Sequence, residues 1–195
     1  MIEAPIFGLI LAGGESSRMG MNKAELIYHD RPQWAYAAQL IAPYCRNVYF
    51  SLKNEEQIPD MDPDLVIPDA SQGTGPISGL LAAFEKHPEA AWLVLGTNMP
   101  GIDRAMINRV FRQRNPEVGA TCLSVSSKPE PLVSIWEPLI AADLKDFAHS
   151  GKNSLRKFLE QQEIQAVEID SSMAFKLESV DTPAERENFL RKGRK

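Results

Sequence analysis

Arg18 and Lys23, five positions apart and just beyond Gly13-Gly14, are the side chains of this sequence best suited to hold an anion. They follow the apolar run Ile6-Phe7-Gly8-Leu9-Ile10, which continues through Leu11 and Ala12 into the glycines. Such a run reads as a buried strand ending in a loop whose backbone can approach a phosphate closely. Arg18 can fork onto phosphate oxygens and Lys23 adds a point charge. The spacing excludes the GxxxxGK[ST] phosphate loop, which needs Lys directly after the second glycine, and the GxGxxG dinucleotide fingerprint. An ordinary surface turn is the plain alternative for two adjacent glycines with charge nearby.

The whole segment Leu11-Ala12-Gly13-Gly14-Glu15-Ser16-Ser17-Arg18-Met19-Gly20-Met21-Asn22-Lys23 resembles the LAGGxSxRMGxxK signature of nucleotidyltransferases with a Rossmann-like fold. Within them it is most similar to the molybdenum cofactor guanylyltransferase branch. The resemblance implies that Leu11, Ala12, Gly13, Gly14, Arg18 and Lys23 bind nucleotide, with Arg18 and Lys23 as the catalytic cations. Asp69, followed by Gly75-Pro76-Ile77-Ser78-Gly79, resembles the Asp and GPLxG segment that borders the base. Physically, Asp69 at a strand end can accept hydrogen bonds from a base or ribose, and Gly75 and Gly79 remove side chains where a flat ring must approach. Pro76 suits the first position of a helix. An Asp that caps a turn would use the same residues. Asn54 falls where the family has a nucleotide-contacting Asn, although a lone loop Asn also suits turn chemistry.

The chain departs from the family at Thr97-Asn98-Met99-Pro100, which aligns with Cys-Asp-x-Pro. Asn98 thereby replaces the aspartate that the resemblance assigns to Mg2+. A neutral amide offers an oxygen without the charge that magnesium favours. Two unit charges about 4 Å apart attract by roughly 4 kcal/mol at an effective dielectric near 20, and a divalent ion roughly doubles that before desolvation. The expected result is a weakened metal site and reduced activity, with nucleotide phosphates still carrying the ion in and Asn98 orienting a bound water.

The implied reaction transfers GMP from GTP to the phosphate of molybdopterin and releases pyrophosphate. Such chemistry asks for alignment and charge neutralisation. A phosphate nucleophile is already largely ionised near neutral pH, because its second pKa is about 6, so no strong base is needed. His29, His87 and His149 accordingly receive no catalytic role. For the acceptor, Glu130-Pro131-Leu132 and the Ser154-Leu155-Arg156-Lys157-Phe158-Leu159 helix resemble the family's later half, which makes Arg156 and Lys157 candidates for the acceptor phosphate. Helix amphipathicity explains them equally well, with Leu155, Phe158 and Leu159 on the core side. Ser179-Val180-Asp181-Thr182-Pro183 stands where the family has Asn-x-Asn-Thr-Pro, and Asp181 is similar to the DTP of related cytidylyltransferases. Two other readings stay open: a nucleotide-binding protein without catalysis, acting as a regulator or assembly partner, and a cytidylyltransferase of the same family.

Apolar runs over 6–12, 47–52, 64–67, 92–95, 119–125 and 132–135 alternate with helical patterns over 32–44, 76–86, 103–114, 138–149 and 154–161. A last helix opens at Thr182-Pro183-Ala184-Glu185, which carries a capping box and a first-turn Pro. This alternation predicts an α/β fold, a Rossmann-like doubly wound, mostly parallel sheet in a single three-layer domain, with ligands at the carboxyl ends of the strands. Residues 1–195 are expected to form one domain, 1–115 binding nucleotide and 116–195 the acceptor.

The chain has 195 residues and a net charge of −5 from 21 basic and 26 acidic side chains, which argues against general nucleic-acid or anionic-membrane binding. No apolar stretch approaches the roughly 20 residues needed to span a bilayer, and the N-terminus lacks a secretion signature, so a cytoplasmic location is expected. Cys45 and Cys122 lie far apart without a CxxC or Cys/His cluster, which gives a disulfide or zinc site little support. The basic cluster Arg191-Lys192-Gly193-Arg194-Lys195 receives no function, as chain ends are commonly frayed.

Overall fold

Two continuously apolar runs, Ile6–Leu11 (β1) and Ala91–Gly96 (β4), pair in parallel, with Ile6 opposite Ala91 and Leu11 opposite Gly96. Strands of this composition are buried on both faces and require helices above and below. The computed structural model describes residues 3–13, 23–53, 61–70 and 75–192. Five further strands complete the sheet: Val48–Leu52 (β2), Val66–Pro68 (β3), Ala120–Val125 (β5), Lys128–Trp136 (β6) and Ile164–Glu168 (β7). Their order is β3-β2-β1-β4-β6-β5-β7, and β6 runs antiparallel to both of its neighbours while every other pairing is parallel.

Side-chain alternation along the strands divides the core in two. Phe7, Leu9, Leu11, Trp92 and Val94 face a cluster that includes Ile77 and Leu80 of α2 (Pro76–Lys86), Leu144 and Phe147 of α4 (Ala141–His149) and Phe158 of α5 (Leu155–Leu159). Ile10, Ala91, Leu93 and Leu95 face the other way, onto Ala37 and Leu40 of α1 (Gln33–Ile41) and Met106 and Val110 of α3 (Arg104–Arg112). The result is the expected doubly wound, three-layer α/β arrangement. A third, smaller cluster joins Leu26 and Tyr28 to Val180, with Phe189 and Leu190 of α6 (Pro183–Lys192) packed against it. Through that cluster the C-terminal helix is fastened to the segment that carries Lys23.

Several boundaries differ from the expected ones for identifiable reasons. The pattern over 32–44 ends as an α-helix at Ile41 and finishes in a 3-10 turn, Ala42–Tyr44, where Pro43 supplies no backbone N–H. The pattern over 138–149 likewise begins as a 3-10 turn, Pro138–Ile140. The strand expected over 132–135 extends back to Lys128 through Pro129 and Pro131, with a register irregularity at Cys122/Leu123. It is joined to β5 by Ser126 and Ser127, both at positive φ (51° and 61°). Two left-handed residues are what a tight hairpin with native twist requires, normally signalled by Gly or Asn. β7 was not anticipated; as an edge strand it buries only Val167 fully, so its apolar period is faint.

No helix among the described residues is long and apolar enough to cross a membrane. Both cysteines are free, and burial pushes each thiol up to about 12, with the Glu130 charge adding to the effect at Cys122.

Candidate active site

The loops that follow β1 and β4 leave the same end of the sheet, and main-chain bonds hold them in register. Ala12 and Gly13 both donate their N–H groups to the Ser51 carbonyl, at 3.0 and 2.9 Å. The absence of a side chain at Gly13 permits this approach, since a Cβ there would stand 2.8 Å from the Lys53 nitrogen. Thr97 reaches across from the β4 loop and donates its hydroxyl to the Leu11 carbonyl at 3.3 Å. Between the loops lies a cavity of about 170 Å³ lined by residues 11–13 together with Lys23, Pro76, Asn98, Leu132 and Asp181, among others. Among the described lining residues there are one cation and one carboxylate, and these two meet.

Lys23 Nζ donates to Asp181 Oδ1 at 2.8 Å, with the two side chains 22% and 37% exposed. A pair so open to solvent contributes only about 0–1 kcal/mol, so an arriving anion can recruit the lysine cheaply. Burial alone would raise the Asp181 carboxyl. The Lys23 charge and hydrogen bond, with the nearby Ser179 and Asn98 side chains, outweigh that effect and lower its pKa. The main chain of Asp181 is fixed independently of its side chain. Its N–H donates to Glu185 Oε2 at 2.8 Å, and the preceding Val180 donates to the Asn98 carbonyl at 2.7 Å. Glu185 also accepts from Thr182 N–H at 2.9 Å and donates its own N–H to the Thr182 hydroxyl oxygen at 3.3 Å, completing the capping box.

Asn98, Pro76 and Leu132 also line a second, adjoining cavity of about 400 Å³, which takes in Glu130, Asn153, Ser154, Arg156 and Ser179. Arg156 is held there by two acceptors, donating from Nε to the Pro129 carbonyl at 3.1 Å and from Nη2 to Glu130 Oε2 at 2.9 Å. Burial pushes the Glu130 carboxyl up, against the Leu132 N–H and the Arg156 charge. The structure thus brings Leu11, Ala12, Gly13, Lys23, Pro76, Asn98, Arg156 and Asp181 to two cavities that share Pro76, Asn98 and Leu132. Lys157 does not line it. That side chain is exposed, and the residue's N–H donates to the oxygen of the Ser154 hydroxyl that caps α5, at 3.3 Å.

Three other expected positions serve the framework. Asp69 lines neither cavity; its carboxylate accepts from Ser51 Oγ at 2.5 Å and from Ser78 Oγ at 3.2 Å, tying the end of β3 to β2 and α2. Gly79 removes a side chain for packing against the sheet: a Cβ there would stand 2.1 Å from Ser51 Oγ and 2.8 Å from Leu11 Cδ2. Gly75, at φ +73°, supplies a backbone conformation that side chains resist, and no atom of the described residues would come within 4 Å of a Cβ there. Pro76 does open α2. Gly14, Arg18 and Asn54 lie outside the described residues.

Glu130, Asn153, Ser154, Ser179 and Glu185 were not singled out from the sequence as site residues. Glu185 had a readable signal in its capping box; what the box fixes, the main chain of Asp181, had none. Among the described residues no three His, Cys, Asp or Glu side chains cluster. That donor set fits a hard cation that arrives largely coordinated by phosphates and water, not one held in a protein cage.

Comparison with known proteins places this geometry. A family described as the MobA-like NTP transferase domain matches residues 8–167. The chain is 27% identical over 184 residues to a molybdenum cofactor biosynthesis bifunctional protein of Synechocystis sp., covering 93% of this chain and 52% of that protein, so it spans about half of that relative's length. It is 25% identical over 176 residues to a Flavobacterium johnsoniae protein named "Probable molybdenum cofactor guanylyltransferase", covering 90% of this chain and 92% of that one. In fold it is similar to molybdopterin-guanine dinucleotide biosynthesis protein A from Archaeoglobus fulgidus, with a TM-score of 0.77 at 18% identity, covering 96% of this chain and 98% of that one. A Mycobacterium tuberculosis protein solved in complex with manganese also shares the fold, with a TM-score of 0.68 at 14% identity over 97% and 99% of the two chains.

Proposed function

The chain belongs to the MobA-like NTP transferase family, a family of nucleotidyltransferases, and from that premise we propose that it transfers GMP from GTP to the terminal phosphate of molybdopterin, releasing pyrophosphate. The observation that carries this reading is the pair of adjoining cavities, one built on the Gly13 loop and Lys23, the other on Arg156, which share Pro76, Asn98 and Leu132. Two substrates held in such neighbouring sites meet at their common wall.

In the proposed step an oxygen of the acceptor phosphate bonds to the α-phosphorus of GTP. The bond from that phosphorus to the bridging oxygen breaks, and its electron pair leaves with pyrophosphate. Lys23, with Arg18 from the signature segment, neutralises charge spreading over the triphosphate, and Arg156 faces the acceptor. When bound, a divalent cation such as Mg2+ supplies further neutralisation of the nucleotide phosphates, and Asn98 can orient a water of its shell. An amide at position 98 holds that ion more weakly than a carboxylate there would, so activity below that of an aspartate-bearing relative is the expectation for position 98. Asp181-Thr182-Pro183 favours a second reading, cytidylyl transfer by the same site.

Pyrophosphate release tests the reaction. GTP with molybdopterin and Mg2+ is expected to release pyrophosphate, and Arg156→Ala to raise KM for the acceptor more than KM for GTP. Faster release with CTP supports the cytidylyl reading. Tight GTP binding with no release under any acceptor makes the protein a nucleotide-binding partner without catalysis.

A further inference from the structure

We propose that Asp181 is the carboxylate that takes the divalent cation in the nucleotide complex, giving up Lys23 to the triphosphate and receiving the ion in its place. The proposal rests on the nucleotide reading above and assigns the metal's charged protein ligand to the C-terminal segment instead of position 98.

Charge balance in the smaller cavity leads there. Among its described lining residues only Lys23 and Asp181 are charged, and they neutralise each other at 2.8 Å. An entering triphosphate brings several negative charges, and Lys23 is the cation among the described lining residues that can meet them. Once Lys23 turns to phosphate, Asp181 faces the same phosphates as an uncompensated carboxylate. Like charges at such range repel strongly at the reduced dielectric of a cleft. Its other side-chain hydrogen-bond partners, Asn98 and Ser179, are neutral, and the Glu185 carboxylate beside it is itself an acid, so none of them offsets that repulsion. A divalent ion held between Asp181 and the phosphates does so, and restores the balance that Lys23 provided.

The anchoring suits an exchange of partners. Glu185 and the Asn98 carbonyl hold the main chain from 180 to 181, so only the Asp181 side chain need change its contact. Asn98 fits the same scheme. Its amide stands beside Asp181 without adding a second negative charge, and its Oδ1 lies over Gly96, where a Cβ would come within 2.9 Å. Asp181 lines the phosphate-side cavity and Ser179 the acceptor-side one, so the ion would be placed where the two substrates meet.

The test uses Mn2+ as the probe, with electron paramagnetic resonance reporting bound ion, in the full chain with GTP and no acceptor. Four proteins are compared: wild type, Asp181→Asn, Asn98→Asp, and the double exchange Asn98→Asp/Asp181→Asn. The expected result is a tenfold or greater loss of Mn2+ affinity in the GTP complex of Asp181→Asn and recovery of most of it in the double exchange. Metal-free GTP binding by Asp181→Asn should equal or exceed that of wild type, because Lys23 is released. Wild-type Mn2+ affinity in Asp181→Asn, with GTP bound, overturns the proposal while leaving the nucleotide reading standing. Failure of GTP and CTP to bind wild type at all overturns both. Should Asp181→Asn unfold, Asp181→Ser is measured in the same way, and wild-type Mn2+ affinity in its GTP complex likewise overturns the proposal.

Discussion

Val180 donates its backbone N–H to the Asn98 carbonyl oxygen at 2.7 Å, which fastens the C-terminal segment to the loop that follows the central strand β4. A second contact strengthens the junction, where Lys176 pairs with Asp103, the cap of α3. Gly101 allows the close approach, because a Cβ there would stand 2.8 Å from the Lys176 carbonyl oxygen. Residues near the end of the chain are therefore part of the site's wall, and their loss is expected to be felt in ligand binding as well as in stability.

Glu185 is the residue where those two effects can be separated. Glu185→Ala removes the acceptor for the Asp181 and Thr182 N–H groups. It should move the urea unfolding midpoint to lower denaturant, the direction expected of a lost cap. If Glu185 also positions Asp181, the Kd for Mn2+ in the GTP complex rises severalfold while metal-free GTP binding holds. Glu185→Gln, which keeps an oxygen in place, restores both. A stability loss with an unchanged Mn2+ Kd reduces Glu185 to a helix cap.

At the opposite end of the sheet, Arg114 and Glu137 form a forked ion pair, with Nε to Oε1 at 2.6 Å and Nη2 to Oε2 at 2.9 Å, while Nη2 also donates to the Ala4 carbonyl. Glu137 is 1% exposed and Arg114 9%. Removing one member leaves the other charged and buried, at a typical cost of about 3–5 kcal/mol. Glu137→Ala should show that loss in urea unfolding, with GTP affinity unchanged in the folded fraction. A loss below 1 kcal/mol contradicts the assignment.

The pH dependence of stability follows from groups shifted in opposite directions. At Asp103 burial would raise the carboxyl, but Lys176 and the Met106 and Ala105 N–H groups lower it overall, and Asp181 is lowered as well. Their contribution is complete above the ordinary aspartate value near 4 and is lost as pH falls through the folded values. The Cys45 and Cys122 thiols, pushed up to about 12, act in reverse. Above the ordinary thiol value of about 8.5 the unfolded chain releases protons that the folded one keeps, so stability declines as pH rises further. Urea midpoints across pH 3–10.5 should form a plateau falling at both ends, with Asp103→Asn flattening the acid limb and Cys45→Ala the alkaline one. An alkaline limb that rises or is unmoved by Cys45→Ala contradicts this account.

What could be read in advance was whatever the chain states locally. The apolar runs of β1 and β4, the small residues at 12 and 13, Pro76 at a helix start and the Thr182-Glu185 capping box each carry their signal within a few positions. What could not be read depends on partners far away in sequence. Asp69 finds Ser51 and Ser78, Arg156 finds Glu130, and Lys23 finds Asp181, 158 positions on, with no periodicity to announce the pairing. Gly79 illustrates the limit differently. Its glycine was legible as a place where something must come close, but Ser51 Oγ fills that role in the folded chain. The hairpin at Ser126 and Ser127 was obscured because tertiary structure enforces left-handed backbone on residues that do not advertise it.

The most direct test of the account is calorimetric titration of GTP and CTP, without metal, into wild type and Lys23→Gln. A triphosphate seated against the Gly13 loop and gripped by Lys23 predicts a Kd for the preferred nucleotide at least tenfold weaker in the variant, with the fold intact by circular dichroism. Equal dissociation constants for both proteins, with both nucleotides, would contradict it.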